Sequence, residues 1–164
     1  MKIIDIIEEV KSMNTNLVEI TGGEPMLQKN VIPLMKEFLN NNFEVMLETC
    51  GAISLKDVPE KVKKIVDFKC PSSKMKDKNL WSIIDELSPH DEIKFVIGDK
   101  ADYEWTLKKI NQYNLDSKWT ILFSPVFDKL KLDQLANWIL EDNLNVRLQL
   151  QMHKYIWDPD MRAV

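Results

Sequence analysis

Short apolar runs and amphipathic stretches take turns along this chain about six times, and that alternation limits the fold more than any other feature. Residues 2–13 read as a helix with Ile3, Ile6, Ile7 and Val10 on one face. A strand over 16–21 ends at Gly22, and a helix over 30–41 carries Val31, Leu34, Met35 and Phe38 as its stripe. Pro33 sits in that helix's first turn, where a missing N–H is tolerated. The strand FEVMLE (43–48) alternates cleanly, and a short helical piece over 56–63 leads into a strand over 64–70. The pattern continues with a helix over 79–87, a strand over 92–98, a helix over 100–113 and a strand over 119–124. A helix over 130–142 aligns Leu132, Leu135, Ala136 and Ile139, a strand covers 145–152, and the tail after about residue 154 is irregular. Strands separated by helices in this way build βαβ units around a parallel sheet, so the fold class is α/β. There is no repeat or linker tract, and residues 1–164 read as a single domain.

Two departures from an ordinary α/β pattern point to a site. All four glycines (Gly22, Gly23, Gly51 and Gly98) fall just after predicted strands, at the sheet edge where such folds place ligands. Singly, Gly51 and Gly98 read as turn residues, but Gly22–Gly23 in TGGEP is a stronger signal. The strands themselves are not the continuous apolar runs of a sheet buried on both faces. Glu19 and Thr21 share a face, as do Met46 and Glu48, and Asp67 and Lys69; Lys94 lies mid-strand. Arg147, Gln149, Gln151 and His153 share one parity, whereas Val146, Leu148 and Leu150 share the other. The economical reading is a curved, open barrel with helices on its apolar outer face and a polar, ligand-lining inner face.

Composition excludes several classes. Apolar residues make up 45% and charged residues 29%, and no apolar run approaches the length of a membrane span. The segment MKIIDIIEEV carries acids within its apolar stretch and has no small-residue cleavage site, so a cytoplasmic protein is expected. A net charge of −4 with scattered basic residues argues against nucleic acid or membrane partners. Cys50 and Cys70 lack metal-ligand spacing and read as reduced thiols.

TGGEP after a strand resembles the GGEP motif of the radical S-adenosylmethionine superfamily. ETCG (48–51), DFKCPSS (67–73), KFVI (94–97), SPV (124–126) and RLQLQMHKYIW (147–157) follow in order, and together they resemble the 7-carboxy-7-deazaguanine synthase family. The resemblance runs from about residue 3 to the C-terminus and implies an incomplete (partial) TIM-like barrel of parallel strands with outer helices. It implies that Gly22, Gly23 and Glu24 contact S-adenosylmethionine, with Ser72, Ser73, Lys94 and Ser124 toward its ribose or adenine side. It implies that Thr21, Glu48, Gln151, His153 and the carboxylate of Val164 face a pterin substrate, and that the protein is a homodimer. As non-ligand alternatives, Thr21 caps a turn, His153 is a satisfied histidine, and Tyr155 and Trp157 serve packing.

The family reaction that the resemblance implies is a radical ring contraction. It converts 6-carboxy-5,6,7,8-tetrahydropterin to 7-carboxy-7-deazaguanine with loss of ammonia, in queuosine biosynthesis. Family members hold a [4Fe–4S] cluster on a CxxxCxxC-like cysteine triplet, in a loop that also supplies a Mg²⁺-binding threonine; this sequence has neither that triplet nor that loop. Cys50 stands where the family segment usually has asparagine. The expectation is an N-terminally truncated relative, lacking the first strand and the cluster loop and catalytically inactive on its own. A cluster-less pterin- or nucleoside-binding module, and a fragment of a glycyl-radical-enzyme activase, stay open as alternatives. The pterin-facing set Glu48, Gln151 and His153 disfavours the last.

Overall fold

The computed structural model describes residues 1–161. The chain separates into two compact units. One holds Met1–Asp67 with Lys78–Glu92, and the other holds Phe68–Asp77 with the chain from Ile93 onward.

In the first unit, helix α1 (Ile3–Ser12) precedes strand β1 (Leu17–Ile20), and helix α2 (Val31–Asn40) precedes strands β2 (Glu44–Thr49) and β3 (Lys63–Phe68). The strands lie in chain order. β1 pairs with β2 in parallel, Val18 opposite Val45 and Ile20 opposite Leu47, and β2 pairs in parallel with β3, Thr49 opposite Val66. Period-two alternation then sorts the residues of β2: Val45, Leu47 and Thr49 are buried, whereas Met46 and Glu48 are half-buried. The helices answer with Ile7 from α1 and Val31, Met35 and Phe38 from α2, and Phe38 meets Phe43 edge to face at 5.3 Å. These are the stripes that the 3.6-residue period marks out.

A buried ion pair fixes the approach to β3. Lys64 Nζ lies 2.9 Å from Asp91 Oδ2, with side chains 3% and 0% exposed. The Asp91 carboxylate also accepts from the backbone N–H groups of Lys64 and Ser88, each at 2.7 Å. Two charges removed from water need such additional donors to balance their desolvation.

In the second unit, β4 (Glu92–Ile97), α3 (Lys100–Tyr113), β5 (Thr120–Pro125), α4 (Leu132–Glu141), β6 (Arg147–Leu148) and α5 (His153–Ile156) follow one another. β5 and β6 pair in parallel, Leu122 opposite Arg147 and Phe123 opposite Leu148. Rings form the core: Phe95 stacks with Phe68 at 6.1 Å and meets Phe123 at 6.4 Å, and Tyr103 bridges Phe123 and Trp138. The Tyr103 hydroxyl donates to the Trp138 carbonyl or to Asp142 Oδ2, at 2.8 and 2.7 Å. Asp99 caps α3 by accepting from the Asp102 N–H, and Asn114 ends it in the left-handed conformation at φ 52°.

Three expected elements differ. Residues 56–62 form turns rather than a helix, closed by Val58 N–H to Leu55 and Val62 N–H to Pro59, because Pro59 disfavours helical backbone at Val58, and Lys63 already belongs to β3. The helix expected over 79–87 is a 3₁₀ segment, Trp81–Glu86. Its ends are held elsewhere: Leu80 N–H donates to Gly51, and the Glu86 carboxylate accepts from Ser54 Oγ and Leu55 N–H. The strand expected over 145–152 is only Arg147–Leu148. Gln149 N–H makes a further bond to Phe123, after which Lys154 N–H turns back to Gln151 and α5 runs from His153 into the stretch read as irregular.

Asp91→Ala should cost about 3–5 kcal/mol in urea unfolding, because it strands the buried Lys64 ammonium. The double replacement Lys64→Met with Asp91→Leu should recover only the part due to the ammonium, because the Lys64 and Ser88 N–H groups stay without their acceptor. A single variant as stable as the wild type would show that the ammonium escapes to water.

Candidate functional site

The chain leaves β1 at Ile20 and enters an exposed loop, Thr21–Gly22–Gly23. Gly22 has φ +92° and Gly23 φ +60°. No atom lies within 4 Å of a Cβ built on either residue, so dihedral strain, rather than lack of space, calls for glycine here. Two consecutive residues of this kind put bare backbone at the end of a parallel strand. Glu24 then holds the loop down. Its Oε1 accepts from Met26 N–H at 3.0 Å, its Oε2 accepts from Cys50 N–H at 2.7 Å, and Thr49 Oγ1 donates at 2.8–2.9 Å. Pro25 is buried and opens the 3₁₀ turn Pro25–Leu27 that Glu24 caps. Burial pushes the Glu24 carboxyl up, but the hydrogen bonds from Cys50, Met26 and Thr49 outweigh it and hold the group below its ordinary value of 4.5. Glu48, one residue before Thr49, is half-buried with Met46 on the other face of β2.

A second carboxylate does the same work in the other unit. Asp102, fully buried near the start of α3, accepts from Ser72 N–H at 2.8 Å, Ser72 Oγ at 2.5 Å and Gly98 N–H at 2.9 Å. A Cβ on Gly98 would lie 2.8 Å from Ser72 Oγ, 2.9 Å from Lys129 Nζ and 3.2 Å from Asp102 Oδ2, so this glycine is there for close approach. Ser73 Oγ donates to the Cys70 carbonyl at 2.6 Å and accepts from Met75 N–H at 3.2 Å. Lys94 is 7% exposed, and Ser124 is fully buried with no hydrogen-bond partner for its Oγ among the described residues. Gln151 is half-buried, His153 is exposed at the first residue of α5, and Val164 lies outside the described residues.

The expected residues thus group as Thr21, Gly22, Gly23, Glu24 and Glu48 in the first unit. Ser72, Ser73, Lys94, Ser124, Gln151 and His153 belong to the second. Thr49 and Asp102 are additions that the sequence reading missed. Thr49 ends an alternating strand and looks like any buried β-branched residue; Asp102 reads as an ordinary first-turn helix acid, three residues after the Asp99 cap. Among the described residues no three His, Cys, Asp or Glu side chains converge as a metal-ligand set. Both cysteines are free thiols, and Cys70 is buried with its Sγ 3.5 Å from Thr106 Oγ1. The donor set therefore does not fit an iron–sulfur cluster. No helix among the described residues is long and apolar enough to cross a membrane.

No family model matches the chain. It is 43% identical over 175 residues to the 7-carboxy-7-deazaguanine synthase of Koribacter versatilis, covering 98% of this chain and 77% of that protein. It is 38% identical over 167 residues to the synthase of Chlorobaculum tepidum, covering 100% of this chain and 76% of that protein. The chain belongs to the 7-carboxy-7-deazaguanine synthase family. Among solved structures it is similar to QueE from Escherichia coli, with a TM-score of 0.72 and 21% identity over 92% of this chain and 64% of that one. It is also similar to SuiB from Streptococcus suis, with a TM-score of 0.59 and 13% identity over 98% of this chain and 46% of that one. These likenesses show the fold of this synthase-family chain, α/β of the partial TIM-like barrel kind, as the resemblance implied.

Glu24→Gln tests the loop clamp. A carboxylate held below its ordinary value stabilises the fold above about pH 4.5, and that stabilisation is lost as pH falls through the folded-state value. The stability difference between wild type and variant, from urea unfolding at stepped pH, should be largest near neutrality and shrink below pH 4.5. A difference independent of pH would count against the clamp. Asp102→Ala should cost at least about 2 kcal/mol. It should also lower hydrogen-exchange protection at the Ser72 and Gly98 amides, which it orphans.

Proposed function

We propose that this chain carries cofactor- and substrate-facing residues of a 7-carboxy-7-deazaguanine synthase and does not turn over by itself. The observation that carries the reading is the Glu24 clamp on two adjacent positive-φ glycines at the end of β1. On this reading Gly22 and Gly23 present backbone to the methionine end of S-adenosylmethionine, and Glu24 keeps that backbone in place. The Glu24 carboxylate already accepts from Met26, Thr49 and Cys50, and on this reading its negative charge favours a ligand ammonium nearby. Ser72, Ser73, Lys94 and Ser124 take the nucleoside end. Thr21, Glu48, Gln151, His153 and Val164 take the pterin, whose edge alternates donors and acceptors and suits amides, a hydroxyl and carboxylates. When bound beside a reduced cluster, S-adenosylmethionine supplies the radical chemistry of the ring contraction that loses ammonia. These residues supply positioning and desolvation.

Turnover in these 164 residues is excluded on this reading by the donor set, which offers two thiols where a cluster needs a thiolate triplet. Mg²⁺ binding belongs to the same loop of the longer family members. Free thiols suit a reducing, cytoplasmic setting. A homodimer is part of the proposal. β1 stands at the end of its unit's strand order, with Leu17 49% exposed, and an open strand edge favours association. Neither nucleic acid nor membrane enters as a partner.

Anaerobic iron–sulfur reconstitution of the chain should give no stable [4Fe–4S] absorption, and calorimetry should find S-adenosylmethionine bound only weakly. A stable cluster band, or tight binding by the chain alone, would overturn the reading. Sedimentation velocity should show a dimer; a clean monomer at high concentration would remove that part of the proposal.

A further inference from the structure

Ser124 and Gln149 lie side by side on neighbouring strands. The β5·β6 register sets Phe123 opposite Leu148, and Gln149 N–H donates to the Phe123 carbonyl at 2.8 Å, which carries the pairing one residue further. Ser124 and Gln149 share the parity of Leu122 and Arg147. Phe123 has the other parity and packs against Phe95 and Tyr103 in the aromatic core. The two side chains therefore leave the sheet on the same face, the one opposite the Phe123 ring.

Each brings an oxygen that is shielded from solvent and hydrogen-bonded to nothing among the described residues: Ser124 Oγ and Gln149 Oε1. Ser124 is 0% exposed. Buried polar atoms are nearly always paired, because an unpaired one forfeits its hydration for nothing. Two such atoms on adjacent residues of one face mark a position kept for a bound group rather than for the fold. An amide oxygen only accepts, and a serine hydroxyl both donates and accepts. The pair matches a heterocycle edge on which an amino or ring N–H group stands beside an unprotonated ring nitrogen. A purine nucleoside and a pterin both have such an edge.

We propose that Gln149 is a ligand-recognising residue of this site. Its Oε1 accepts from the amino or ring N–H group of the heterocycle, while the Ser124 hydroxyl donates to the neighbouring ring nitrogen. The assignment rests on the reading that this face receives a nucleoside or a pterin, and gives a ligand role to a residue that the resemblance left without one.

The test sets binding against stability. Adenosine and 6-carboxypterin are titrated calorimetrically into the wild-type chain, Gln149→Leu and Ser124→Ala, and thermal unfolding of each is followed without ligand. Gln149→Leu should weaken one of the two probes about 10-fold and Ser124→Ala should weaken the same probe, the affected probe identifying the ligand. Both variants should melt higher by about 2–4 °C, because each removes a buried orphan. Wild type that binds a probe with an affinity unchanged in Gln149→Leu sinks the inference alone. A lower melting temperature in Gln149→Leu also sinks it, by showing a structural role. Wild type that binds neither probe sinks the reading of the face and the inference with it.

Discussion

Each strand here has two faces that must meet different neighbours, and the rest of the structure follows from that constraint. A β-strand sends successive side chains to opposite sides. Val45, Leu47 and Thr49 go inward to a helix-covered core while Met46 and Glu48 go to the other side. Phe95 and Phe123 enter an aromatic cluster with Tyr103, whereas Ser124 leaves on the opposite face. A sheet covered by helices on both sides would have made every one of these positions apolar.

The loops that follow the strands are under a second constraint, since backbone that leaves a sheet loses its ladder partners and must be held in another way. The same device answers it twice. Glu24 gathers Met26 N–H, Cys50 N–H and Thr49 Oγ1; Asp102 gathers Ser72 N–H, Ser72 Oγ and Gly98 N–H. A carboxylate with several donors holds chain segments that are distant in sequence, and charge-assisted bonds make it a stiff anchor. The glycines on either side have different causes. Gly22 and Gly23 satisfy dihedral angles in open space, whereas Gly98 gives way to three side-chain atoms. An alanine would fail at the first pair through backbone strain and at the last through collision.

The long amphipathic elements were legible because their period is strong: α2 and α4 fall inside the windows expected for them. The expected strands over 16–21 and 92–98 enclose β1 and β4. The short connections were not legible. Pro59 and the pull of Glu86 on Ser54 and Leu55 decide whether 56–63 and 79–87 are helical, and the second of these is a contact between distant residues. At the site, TGGEP was readable because two glycines and an acid after a strand are rare in a chain with four glycines. Thr49 and Asp102 were not, since neither belongs to a motif and both acquire their role from what they touch.

The sequence by itself determined the α/β class, the order of helices and strands, the family and the shortage of cluster thiolates. These depend on composition, local periodicity and residue identity, which the chain carries openly. Only the tertiary structure decided which oxygens have partners. It showed that Glu24 and Asp102 are engaged by protein donors while Ser124 Oγ and Gln149 Oε1 are buried without a partner among the described residues. Hydrogen-bond satisfaction is a property of neighbours brought together by folding, and no spacing along the chain encodes it.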